Sequence, residues 1–126
     1  MDDTGLPAAL RACAHGIYAL EAATGLIIEH ATWLGRDDFT RLIHTGPCSA
    51  VTMAAIDWPA AAAALRAGEL PCSGGERRIL ELAASLAGHY PVVLGDAVCG
   101  LDDQSTKILI RAVLHASGRR QFPPPP

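Results

Sequence analysis

Apolar residues in this chain recur three and four positions apart, in short runs that end at glycine. Leu6, Leu10, Cys13 and Ile17 step by four, three and four, and Pro7 suits a first helical turn after Thr4 or Gly5. Such spacing brings side chains onto one side of a helix, so it predicts a first helix ended by Gly16. A second helix follows over about 19–34, with Leu20, Ala23, Ile27, Ala31 and Leu34 as its buried face and Gly25 as a point where it can break. Asp37 or Asp38 caps a short helix carrying Phe39, Leu42 and Ile43, which stops near Gly46 and Pro47. Asp57-Trp58-Pro59 starts another, the alanine run 60–64 propagates it, and Gly68 ends it. Ser73-Gly74-Gly75-Glu76 fits a capping box, with Ile79, Leu82, Ala83 and Leu86 following at helical spacing as far as Gly88. Asp102 caps the last helix, whose Ile108, Leu109, Ile110, Val113 and Leu114 cover more than one face, as in a central helix. Residues 45–52 read as a loop and Met53 to Ile56 as an extended piece without an evident partner. Val92 to Cys99 reads as a short strand or a buried helical turn.

With 126 residues, half of them hydrophobic and only 18% charged, the chain supports one core and not two. Alanine inflates the apolar fraction and aromatics make up only 5%, so the core is expected to be Leu, Ile, Val and Ala in close helix contact. Disorder, a disulfide scaffold and a collagen-like chain are excluded. The expected fold is all-α. It is a compact single-domain bundle of six or seven short helices over residues 1–120, with room for one minor short β pairing and a disordered proline tail over 121–126.

Net charge is −3, and Lys107 is the one lysine, so the global basic excess of a dedicated nucleic-acid binder is missing. Cys13, Cys48, Cys72 and Cys99 are widely spaced without a CxxC element, and they read as reduced, mostly buried thiols. His44, Cys48 and Cys72 are the best metal-ligand combination, but they lack the tight paired spacing of a zinc site, so no metal or cofactor is expected. The opening Met1-Asp2-Asp3 lacks a basic leader, and no apolar run approaches membrane-spanning length, so a cytoplasmic protein is expected.

Ser73-Gly74-Gly75-Glu76-Arg77-Arg78, then Val92-Val93-Leu94 with Asp96, then Leu101-Asp102-Asp103 resemble the signature motifs of ATP-binding-cassette ATPases over residues 73–103. That likeness would imply nucleotide binding, but the chain departs from the family where the chemistry lives. It has no glycine-rich turn ending in Lys-Ser or Lys-Thr, and Ala97 stands where the catalytic glutamate belongs. A capping box and an amphipathic helix account for the same residues. Leu94 to Cys99, Gly100 and Ser105 to Leu114, supported by Glu76 to Leu86, also resemble a helix-turn-helix DNA-binding regulator. On that alternative the nucleic-acid contacts would come from Arg77, Arg78, Lys107, Arg111, Arg119 and Arg120, although Asp102 and Asp103 would repel phosphate at the recognition-helix start.

None of His15, His30, His44, His89 and His115 sits in a nucleophile motif, and no catalytic residue is assigned. A small enzyme with a histidine–carboxylate site at His30 (beside Glu29, Asp37 and Asp38) or His44 is the second alternative. The scarce aromatics Trp33, Phe39 and Trp58 are either core or, where exposed, interface anchors. Leu20-Glu21-Ala22-Ala23, Trp33-Leu34, Asp38-Phe39, Ala55 to Pro59, Ser73 to Arg78 and His115 to Arg119 give the whole chain a resemblance to small helical proteins of high-GC actinobacteria, which implies no particular activity. The leading expectation is therefore a non-enzymatic helical protein that acts by binding a protein partner or a second copy of itself.

Overall fold

A computed structural model describes residues 5–48 and 51–118, without the side chains of 47, 48, 51 and 52. Among the described residues there are seven α-helices and one two-stranded sheet: α1 Gly5–Ala14, α2 Tyr18–His30, α3 Asp37–Thr40, β1 Ile43–Cys48, β2 Val51–Ile56, α4 Trp58–Ala67, α5 Gly74–Leu86, α6 Leu94–Val98 and α7 Asp103–Ala116. The expected helical domain with a minor β pairing is what forms. The tail over 121–126 lies outside the described residues.

Local side-chain caps set the starts of three helices. The Asp57 carboxylate accepts the Ala60 amide at 3.0 Å at the head of α4, and Gly68, at φ 72°, ends that helix. Ser73 accepts the Glu76 amide at 3.2 Å while Glu76 takes the Ser73 amide at 3.0 Å, completing the capping box of α5. Asp102 accepts the Ser105 amide at 2.7 Å at the head of α7.

α2 carries the packing. α1, α5 and α7 all lie against it, and Ala22, Ala23, Thr24, Leu26 and Ile27 are buried there. The helix does not break at Gly25, although glycine at an interior position costs about 1 kcal/mol relative to alanine. It ends earlier than its stripe suggests, at His30, with Ala31 in the left-handed region at φ 70°. α1 buries Ala9, Leu10 and Ala14, while Cys13 and Ile17, the second half of its apparent stripe, are exposed. α7 likewise buries a single face, Ser105, Ile108, Leu109 and Ala112, and turns Ile110 and Val113 to solvent, so it is a peripheral helix and not a central one.

The region expected to be a short helix and a loop forms a hairpin instead. α3 stops at Thr40, and residues 43–48 pair antiparallel with 51–56, Ile43 opposite Ile56 and Gly46 opposite Met53. β1 is the partner that the extended 53–56 segment lacked in the sequence. Gly46 and Pro47 fall inside a strand because a two-stranded sheet has only edges, where a missing amide is tolerated. β2 packs on α1 and buries Ala54 and Ile56.

Ala31 is exposed, so its methyl contributes no core contact while it strains the left-handed backbone. Ala31→Gly is expected to raise unfolding free energy by about 0.5–1 kcal/mol, read as a higher urea midpoint at unchanged slope.

Candidate functional site

The aromatics expected as core or as interface anchors lie in the core. Trp33 and Phe39 are fully buried and Trp58 nearly so, which corrects their candidacy as exposed anchors. Trp33 donates its indole N–H to the Glu76 carbonyl at 3.0 Å, packs on Phe39 with ring centroids 5.5 Å apart, and lies under the Arg36 guanidinium at 4.6 Å. Their burial follows from position. Trp33 and Phe39 sit in the segment that leaves α2, with the Trp33 indole bonded to α5, and Trp58 is the first residue of α4.

The cations named for DNA contact do not form one surface. Arg77 is held by Glu81 at 3.0 Å and by the Leu65 carbonyl at 3.2 Å, tying α5 to α4. Arg111 is paired with Glu29 at 3.0 Å and lines a different groove from Arg77 and Arg78. Lys107 is exposed on α7, and Arg119 and Arg120 lie outside the described residues. The cysteines differ from expectation too. Of the three cysteines whose side chains are described, Cys13 and Cys99 are exposed and Cys72 is half-buried, its thiol pushed up by desolvation, while the Cys48 side chain lies outside the described residues. Among the described residues no three His, Cys, Asp or Glu side chains are placed to hold a metal ion.

Two surface features remain. The first is the segment around α6. Val93 is 70% exposed, Leu94 62% and Val98 39%, and the helix itself buries only Ala97. The apolar 92–99 segment is thus not buried, as its composition suggests, but displayed. It borders a groove of about 410 Å³ lined by Arg78, Tyr90, Val92 and Asp96. Arg78 has its Nη1 between Gly74 and Gly100, with no ion-pair partner among the described residues.

The second is a polar groove of about 360 Å³ between α1, α2 and α7. Glu21 is at its centre. Its Oε2 accepts the Gly16 amide at 2.9 Å, tying the residue that precedes the α2 N-cap, Ile17, back onto the first turn. Its Oε1 lies 2.7 Å from His115 Nε2, which must carry the proton because an ionised carboxylate only accepts. His15 Nδ1 stands 3.6 Å from Oε2, and Tyr18 meets the His115 ring edge-on. The Gly16 amide and His115 hold the Glu21 carboxyl below its ordinary range.

The histidine–carboxylate pair therefore forms at positions that sequence spacing did not favour. Glu29 pairs with Arg111 and Asp38 with Arg36, so neither serves His30, whose Nδ1 is buried without a partner among the described residues. His44 bonds Asp57 at 3.0 Å, where it braces the α4 cap on β1. Neither His30 nor His44 lines either of the two grooves described. Comparison with family models, with curated proteins and with solved structures finds no match.

Glu21, Asp38, Asp57 and Asp102 all ionise more readily folded than unfolded: Glu21 through the Gly16 amide and His115, Asp38 through Arg36, Asp57 through His44 and the Ala60 amide, and Asp102 through Ser105. In acid the unfolded chain thus binds more protons, so this stabilisation is present above the ordinary carboxylate range and lost as pH falls through the depressed values. Urea midpoints are expected to drop steadily below about pH 4, and Glu21→Gln to flatten that slope; an acid slope that the variant leaves unchanged would contradict this role for Glu21.

Proposed function

We propose that the protein works by binding another protein through the exposed apolar ridge of α6, and that its partner is a second copy of the same chain. The observation that carries this is the outward orientation of Val93, Leu94 and Val98 on a helix that buries only Ala97. Exposed apolar side chains in sequence lose solvation cost when a partner covers them. A twofold pair brings the same patch together twice. Asp96 and the unpaired Arg78 flank the ridge, so the Asp96 of one copy can meet the Arg78 of the other without a like-charge penalty. No helix among the described residues is long and apolar enough to cross a membrane, which fits the cytoplasmic setting we assign.

The regulator reading has one observation in its favour. α6, Gly100 at φ 85° and α7 follow one another as a helix, a turn and a helix. It has less support than self-association, because Arg77 and Arg111 are engaged internally and Asp102 and Asp103 stand at the head of α7. Titration with mixed-sequence duplex DNA at low and moderate salt tests it, and salt-dependent binding would favour it.

For self-association, light scattering on the full chain from micromolar to sub-millimolar concentration is expected to give about twice 13.2 kDa. Val93→Glu/Leu94→Glu is expected to be monomeric with an unchanged helical circular dichroism spectrum. A parent chain that stays monomeric over that range overturns the homodimer.

A further inference from the structure

The groove between α1, α2 and α7 has unequal donors and acceptors. Both Glu21 oxygens are engaged, by the Gly16 amide and by His115. Glu29 Oε1 takes both the Nε and one terminal nitrogen of Arg111, at 3.2 and 3.0 Å. Three donor groups in it have unmet capacity. The Arg11 guanidinium has no hydrogen bond or ion pair among the described residues, Arg111 keeps a terminal nitrogen free, and the His15 side chain is 87% exposed. Among the carboxylate oxygens of Glu21 and Glu29, the second oxygen of Glu29 is the one without a donor among the described residues.

Gly25 supplies a second, independent observation. It lies inside an unbroken helix, and it does not adopt the positive φ that would call for glycine. The Nη1 of Arg11 stands 4.0 Å from where a Cβ at this position would be. An alanine would fit without a clash, so neither backbone nor packing explains the helix-weakening residue. What its absent side chain leaves is room for the unpaired Arg11 guanidinium to lie low over the α2 backbone. The volume, about 360 Å³, falls in the range of small-molecule sites.

We propose that this groove binds a small organic anion bearing a carboxylate or phosphate group, held over Gly25 by Arg11 and Arg111. Arginine suits this role because its planar fork presents paired donors to either oxyanion. Glu21 and His115 act as positioning residues that hold the junction of α1 and α2 against α7. The inference is independent of self-association, since Val93, Leu94 and Val98 line no part of this groove.

The test is a proton–nitrogen NMR titration of the full chain with inorganic phosphate and, separately, with succinate, at constant ionic strength and neutral pH. One or both are expected to give saturable shifts centred on Arg11, His15, Gly25 and Arg111, with Kd below about 10 mM. Saturation by phosphate alone marks a phosphate-bearing ligand, by succinate alone a carboxylate, and by both an oxyanion site without that distinction. Arg11→Gln is expected to weaken binding at least about tenfold, the loss of one charge-assisted contact. Gly25→Ala is expected to raise the urea midpoint and yet weaken binding, which separates a lost site from lost folding. The proposal is overturned if neither anion saturates below that concentration, or if Arg11→Gln leaves the shifts unchanged. Undiminished binding by Gly25→Ala would overturn the role given to Gly25.

Discussion

Close approach to α2 is the constraint on which the rest of the structure depends. Three helices lie against its thirteen residues, and they reach it because Ala22, Ala23 and Thr24 form much of its buried surface. Small side chains let backbones come near, and Leu26 and Ile27 then fill the space between α2 and its neighbours. An alanine-rich, aromatic-poor composition is thus well matched to a bundle of this kind, in which many short contacts replace a few large interlocking ones.

The few large side chains are spent where helices cannot pack on one another directly. Trp33 and Phe39 fill the corner between the end of α2 and the start of α5, and the indole hydrogen bond to Glu76 fixes the angle of that corner. The ion pairs do similar work at the rim. Glu21 with His115 and Glu29 with Arg111 both join α2 to α7, two clamps roughly two helical turns apart along α2. The exposed Glu29–Arg111 pair contributes little stability by itself. The larger consequence of both pairs is to define the walls of the polar groove.

α6 is the opposite case. It is five residues long, and its packing is against α5. It holds its place with one buried alanine and leaves three large apolar side chains outside. A segment so lightly anchored is poorly explained by the stability of the single chain, and it is readily explained by a surface that is covered when the chain meets a partner.

The starts and stops of α4, α5 and α7 were legible in the sequence, because caps act over three or four residues. Asp57, Gly68, Ser73 with Glu76, and Asp102 each do in space what their spacing announced. Helical class was legible for the same reason. What the sequence did not disclose is which of several apolar residues on a helix face the core. Cys13, Ile17, Ile110 and Val113 lie on or beside predicted stripes and are exposed, since burial depends on which neighbour arrives and from which side. The hairpin also needed tertiary structure, because β1 reads as polar and turn-rich until β2 supplies its partner. The groove is the clearest example. Glu21 and His115 are 94 positions apart and Glu29 and Arg111 are 82 apart, so no local spacing signals either pair. Short-range chemistry wrote the helices into the chain, and only the packing of α7 along α2 brought those charges together.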